Sequence, residues 1–231
     1  MSGNSTTDQS TVDFEAFYQG ESPVEGMTFA AVPWDTGRVQ PAVVEAERAG
    51  RFRGAVLDAG CGLGDNAVHL AGLGYRVTGV DVAPTAIAWA RRRAGDRPGV
   101  TFEVADATAL TGYENRFDAV VDSALFDVLD APQRAGYARA LRQATRAGAL
   151  LTIVCFSDRM PVELPGVFTI TEDDARATLS AAGWQVTDVR RDRYQVNEYA
   201  GHFFRTHDIP VELGDDGLPL LPAWVIEARR S

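Results

Sequence analysis

The chain has 231 residues, of which 22 are Lys or Arg and 32 are Asp or Glu, giving a formal charge of −10 at pH 7. That balance argues against a nucleic-acid partner, because neutralising phosphates takes a basic face. The 45% of residues that are hydrophobic suffice for the core of one domain, or of one domain with a small cap.

Every basic residue is arginine, which excludes Schiff-base and pyridoxal chemistry and the phosphate-binding lysine of a P-loop. Cys61 and Cys155 are too few for a disulfide scaffold or a zinc-cysteine cluster, and no metal site is expected. The start of the chain lacks a basic region followed by an apolar block, and no run of about 18 apolar residues occurs. A cytoplasmic protein without a membrane span is therefore expected.

In chain order, residues 1–12 are rich in Ser and Thr and read as a disordered tail. Residues 13–50 read as an N-terminal cap or lid, in which Phe14, Phe17 and Tyr18 share a helical face ahead of a Pro33-Trp34-Asp35 turn. From residue 51 to 231 strand-length apolar runs alternate with helical patterns. The runs are Ala55 to Leu57, Tyr75 to Val80, Val100 to Val104, Phe117 to Val121, Ala149 to Phe156, Trp184 to Arg191 and Ala223 to Glu227. The helices fall at about 65–73, 84–94, 131–146 and 172–182. The alternation predicts an α/β fold: a Rossmann-like, doubly wound, mostly parallel sheet of seven strands. Residues 193–221 interrupt it and hold Tyr194, Tyr199, His202, Phe203, Phe204 and His207, which reads as a covering segment over the substrate.

The sharpest motif is Asp58-Ala59-Gly60-Cys61-Gly62-Leu63-Gly64, between a strand and a helix. Glycines there let the backbone turn tightly and approach a ligand. A nicotinamide fingerprint needs a small residue at position 65 to admit a pyrophosphate, and Asp65 stands there instead. Asp58 and Asp65 suit a ligand with a positive end. Asp81, ending the second strand, is placed for two ribose hydroxyls, and Asp106, after the third, for an exocyclic amine. An adenosine with a cationic amino-acid tail meets all these demands, and S-adenosylmethionine is that molecule.

With these residues the sequence resembles the class I S-adenosylmethionine-dependent methyltransferases over roughly 38–160. The resemblance implies that Asp58, Gly60 and Gly62 surround the methionine moiety, Asp81 holds the ribose, and Asp106 with Ala107 frames the adenine. Val82 and Ser123 complete the implied cofactor set, and S-adenosylhomocysteine is the product.

A narrower resemblance rests on Phe17-Tyr18, Pro33-Trp34-Asp35-Thr36-Gly37-Arg38 and Gln40-Pro41. It is to the thiopurine and tellurite methyltransferase branch, most of all the mycobacterial heterocyclic toxin methyltransferases. It implies that the segment closes over the cofactor, with Trp34 and Arg38 beside the methionine moiety and Arg38 pairing with its carboxylate. The implied reaction is methyl transfer to a small planar heteroaromatic acceptor, at a hydroxyquinoline-like hydroxyl oxygen, in detoxification, by a monomer or homodimer that binds neither membrane nor nucleic acid. The alternatives are a thiol, selenium or tellurium methyltransferase and a non-catalytic cofactor-binding protein. A nicotinamide oxidoreductase stands further off.

For the acceptor, Phe14, Phe17, Tyr18, Phe126, Tyr194, Tyr199, Phe203 and Phe204 form the candidate aromatic pocket. Asp127 and His202 are the candidate bases. Many relatives carry His where this chain has Asp127.

Overall fold

The computed structural model describes residues 12–21 and 31–231. Its elements in chain order are α1 (Phe14–Gln19), α2 (Pro41–Arg48), β1 (Ala55–Ala59), α3 (Asp65–Gly72), β2 (Arg76–Asp81), α4 (Pro84–Ala94), β3 (Val100–Val104) and β4 (Phe117–Ser123). They continue with α5 (Ala131–Ala144), β5 (Thr145–Phe156), α6 (Glu172–Ala181), β6 (Trp184–Gln195), α7 (Glu198–Thr206), β7 (Glu212–Leu213) and β8 (Pro219–Arg230).

Local side-chain chemistry starts the helices: α5 and α6 begin where the sequence places them, and α7 lies in the segment read as a covering. Asp130 and Gln133 form a reciprocal capping box on α5. Thr171 accepts from the Asp174 amide at 3.1 Å ahead of an acidic first turn of α6, and Asn197 accepts from Ala200 at 3.1 Å to start α7.

The strands form one sheet in the order β3-β2-β1-β4-β5-β8-β6. The strands from β3 to β5 are parallel, and β8 runs antiparallel to both β5 and β6. The expected seven strands are there, and an eighth, the two-residue β7, pairs with β8. Successive residues of β1 face opposite sides: Val56 packs with Val43, Leu70, Ile87 and Phe102, and Leu57 with Val120, Tyr137, Leu141 and Trp184. Strand order reverses between β1 and β4, whose carboxyl ends lie side by side through the Ala59–Asp122 register. Such a switch point opens a crevice for a ligand.

The covering segment is shorter than expected. Residues 193–195 belong to β6, pairing with Pro222, Leu221 and Leu220, and β8 already begins at Pro219. The apolar run breaks at the charged Asp192 and Arg193, but β6, an edge strand, continues past them to the buried Tyr194 and Gln195. Residues 1–11 of the expected tail lie outside the described residues, and so do 22–30 of the expected cap. Val12, also assigned to the tail, packs on Gly166, where an added Cβ would collide with it.

Two of the cap's polar fastenings are on α4. Glu15 of α1 accepts from the Thr85 amide at 3.1 Å and the Thr85 hydroxyl at 2.5 Å, in the first turn of α4, where a helix favours a carboxylate. Arg93 of α4 donates to Asp35 at 3.0 and 3.1 Å and to Asp65 at 2.6 Å, tying the Trp34 turn to the start of α3. Glu15→Ala should therefore release α1 at a cost of about 1 kcal/mol. Limited proteolysis should cut residues 13–38 faster in the variant, with the rest of the chain equally resistant. Among the described residues, no helix is long and apolar enough to cross a membrane.

Candidate active site

A cavity of about 630 Å³ opens at the carboxyl ends of β1, β2 and β4, within the range of small-molecule sites. At one end stands the glycine loop. Gly60 and Gly64 have φ of +67° and +84°, and a Cβ would come within 2.9 Å of Leu125 at the first and 2.7 Å of the Phe102 ring at the second. Side chains are thus excluded by both conformation and space. At Gly62 a Cβ would stand 3.1 Å from the Tyr18 hydroxyl, inside the gap between loop and cap.

Asp81 is oriented through both oxygens, accepting from the Gly62 amide and the Ala83 amide at 2.9 Å each. Burial raises its pKa, and those amides pull it back. Beside it Val82 is 62% exposed, an apolar platform on the cavity wall together with Ala107. Asp106 also lines the wall. Its Oδ1 is occupied by the Thr108 amide and hydroxyl at 2.8 and 2.7 Å.

Not every expected residue reaches the cavity. Asp58 is fully buried behind the glycine loop rather than on the wall. Neither of its carboxylate oxygens makes a well-formed hydrogen bond among the described residues. Asp65 does reach the wall, but it is bound to Arg93 and offers no unpaired charge for a cationic ligand. Arg38 also lines the cavity, and its guanidinium is engaged by Asp216 at 2.9 Å, so a cofactor carboxylate would have to compete for it.

The aromatic walls come from both ends of the chain. Trp34 donates its indole N–H to the Tyr18 hydroxyl at 3.2 Å and meets the Phe17 ring edge-on at 5.0 Å, with Phe14 at 6.1 Å. Across the cavity stand Tyr194 of β6 and Tyr199, Phe203 and Phe204 of α7. Ser123 lines the floor, and its hydroxyl lies beside the Tyr194 phenol.

Two assignments are corrected. Phe126 is fully buried in the core, its ring tilted against that of Tyr137 at 6.5 Å, and does not line the cavity; its backbone N–H donates to Asp122 Oδ1 at 3.3 Å. His202 is exposed on α7 and is also absent from the wall, its ring 3.4 Å from the Thr206 hydroxyl. Asp127 does line the cavity. Its Oδ2 accepts from the Phe156 amide at 2.5 Å, and its buried Oδ1 has no partner among the described residues.

Other wall residues escaped the sequence reading: Val12, Val128, Leu129 and the stretch Leu164 to Phe168. The available signal was length. The connection from β5 to α6 runs from 157 to 171, far longer than the usual link at that edge of a parallel sheet. Asp122, buried under the site, was missed as well; it accepts from Leu125 and Phe126 amides and from the Tyr137 hydroxyl at 2.8 Å.

Burial pushes the carboxyls of Asp58, Asp122 and Asp127 each up to about 7. The unfolded chain releases these protons near 4. Between about 4 and 7 the native state holds protons that the unfolded state has lost, so this contribution to stability declines as pH rises. Asp58→Asn removes one such group without breaking a well-formed bond. The Tm of the variant relative to the parent should grow from pH 5 to pH 8, measured by thermal unfolding; a constant difference would show that Asp58 carries no such penalty.

The methyltransferase domain family model matches residues 56–148. The chain is 36% identical over 224 residues to the 2-heptyl-1-hydroxyquinolin-4(1H)-one methyltransferase of Mycobacteroides abscessus, covering 94% of this chain and 96% of that relative. A protein solved in work on the conversion of a disulfide bond into a thioacetal group during echinomycin biosynthesis superposes with a TM-score of 0.77 at 38% identity, over 94% of this chain and 91% of that one. The 1,6-didemethyltoxoflavin-N1-methyltransferase of Burkholderia thailandensis, solved with 1,6-didemethyltoxoflavin and S-adenosylhomocysteine, gives 0.58 at 25% identity, over 83% and 77% of the chains. With its switch-point cavity and glycine loop, the chain belongs to the class I S-adenosylmethionine-dependent methyltransferases. It is an enzyme whose methyl donor is S-adenosylmethionine.

Proposed function

We propose that this methyltransferase acts on a small planar heteroaromatic acceptor, at a ring hydroxyl oxygen. The observation that carries the reading is one cavity that runs from the glycine loop to two facing aromatic walls. Flat apolar rings fit between aromatic faces. The named acceptor of the mycobacterial relative, a hydroxyquinolinone, supports it.

In this reading the ribose hydroxyls meet Asp81, the adenine lies on Val82 and Ala107 near Asp106, and the methionine moiety runs along Gly60 and Gly62 under Trp34, toward Ser123 and Arg38. The bare backbone at Gly62 and the two-point anchoring of Asp81 suit such a ligand. Asp58 lies buried behind the loop. Phe14, Phe17 and Tyr18 hold the acceptor from one side, and Tyr194, Tyr199, Phe203 and Phe204 from the other.

The cofactor supplies an activated methyl on a sulfonium. The chain aligns the acceptor oxygen about 3 Å from the methyl carbon, excludes water, and takes the hydroxyl proton where the acceptor is too weak an acid to ionise unaided. Asp127 is the base in reach of the cavity, and the exposed His202 has no part in the step.

A sulfur acceptor is the second reading, favoured by the likeness to the structure from disulfide-to-thioacetal work. A panel of ring hydroxyls, thiols and tellurite, assayed for S-adenosylhomocysteine release, separates them. Turnover confined to thiols or tellurite would overturn the hydroxyl reading.

A further inference from the structure

The turn that carries Trp34 and the helix that carries much of the facing aromatic wall meet at Asn197. The turn runs from Val32 to Asp35, closed by the Asp35 amide donating to the Val32 carbonyl at 3.0 Å. From it the Trp34 indole reaches over the glycine loop, its nitrogen 3.9 Å from where a Cβ on Gly62 would stand. Asn197, the residue before α7, does not itself line the cavity. Its side chain nevertheless works in two directions. Oδ1 accepts from the Ala200 amide at 3.1 Å to start α7, and Nδ2 donates to the Val32 carbonyl at 2.8 Å and the Asp35 carbonyl at 3.1 Å. Its backbone amide donates to the Pro33 carbonyl at 3.0 Å.

On the far side of Asn197, α7 presents Tyr199, Phe203 and Phe204 to the cavity. The end of β6 just before it is held by other means. The buried Gln40 side chain exchanges two bonds with the Gln195 backbone at 2.9 and 3.1 Å, and the Gln40 amide donates to Asn66 Oδ1 of α3 at 3.1 Å. That pair ties β6 to the glycine-loop helix without using residues 32–35. A ligand that settles under Trp34 fixes all three turn carbonyls at once, and a hydrogen bond weakens steeply off its line. The position of the turn therefore decides how well Asn197 can satisfy the turn and the start of α7 together.

We propose that Asn197 is a positioning residue that couples the two ligand sites. Cofactor under Trp34 fixes the turn, and the turn, through Asn197, fixes the start of α7 and the acceptor wall with it. Filling either site then raises affinity at the other by the same factor. The proposal rests on the reading above, in which Trp34 covers the methionine moiety and α7 holds the acceptor.

The test compares the parent with Asn197→Ser and Asn197→Asp. Both residues start a helix about as well as asparagine, and both lose the donors to Val32 and Asp35, so they separate the tie from the cap. The first readout is amide hydrogen exchange over residues 198–206. S-adenosylhomocysteine should slow it about threefold or more in the parent and much less in both variants. The second is calorimetric affinity for 2-heptyl-1-hydroxyquinolin-4(1H)-one, the acceptor named for the mycobacterial relative. Adding S-adenosylhomocysteine should tighten it about fivefold or more in the parent and less than about twofold in the variants.

A purely structural role for Asn197 would weaken binding in both conditions and leave that ratio unchanged, which would overturn the coupling. A ratio of one in the parent, or equal protection of α7 in parent and variants, would overturn it too. If the hydroxyquinolinone binds in neither condition, the result counts against the ring reading, and the exchange readout, which needs only S-adenosylhomocysteine, decides the role of Asn197.

Discussion

Asp81→Ala is expected to weaken S-adenosylmethionine and S-adenosylhomocysteine binding by about 2 kcal/mol or more, roughly a thirtyfold rise in Kd, with the fold retained. Two effects add. A carboxylate that accepts from two ribose hydroxyls makes charge-assisted bonds, the stronger class. The same carboxylate also ties the Gly62 amide to the end of β2 at 2.9 Å, so its removal loosens the loop against which the methionine moiety would lie. Asp81→Asn separates the two. It keeps an oxygen for one amide but turns an N–H toward the other, so it should fall between the parent and the alanine variant. Calorimetry on samples of unchanged circular dichroism is the measurement. Unchanged affinity in a folded Asp81→Ala protein would remove Asp81 from the ribose site. NADH should not displace the cofactor from the parent.

Much of the fold was legible in the sequence because strands buried on both faces read as near-continuous apolar runs. Val56 and Leu57 need opposite sides of the sheet to be apolar, and both are. The glycine loop was legible because positive φ and a crowded approach leave no other residue type at Gly60 and Gly64. Side-chain direction in the covering segment was not. Read as irregular, residues 193–221 give no reason to separate His202 from its neighbours. Once 198–206 is a helix, Tyr199 with Phe203 and Ala200 with Phe204 form stripes four residues apart toward the cavity, and His202 falls outside them. Phe126 failed for a related reason. A turn has no fixed side-chain period, so nothing in Leu125-Phe126-Asp127 says that Leu125 and Asp127 line the cavity while Phe126 enters the core. Asp65 and Arg38 show a third limit. Their partners, Arg93 and Asp216, lie 28 and 178 residues away, beyond the reach of any local pattern.

For the chemistry, Asp127→Asn should leave cofactor affinity nearly unchanged and slow turnover roughly 10²-fold or more on a weakly acidic hydroxyl. The substitution suits the site, since an amide oxygen can still accept from the Phe156 N–H that now bonds the carboxylate Oδ2 at 2.5 Å. What is lost is the other oxygen as a proton acceptor. With burial holding the carboxyl at about 7, the parent enzyme should gain activity as pH rises through that value, because only the ionised form can take a proton. The variant should lack this limb. Two hydroxyl acceptors of different pKa make the assignment specific: the loss should be large on the weaker acid and small on one already ionised at assay pH. His202→Ala, altering an exposed residue outside the cavity, should leave both rates within about twofold of the parent. If Asp127→Asn slows both acceptors equally, its role is to shape the floor of the cavity through Phe156, and the enzyme works by alignment, which alone can supply several kcal/mol.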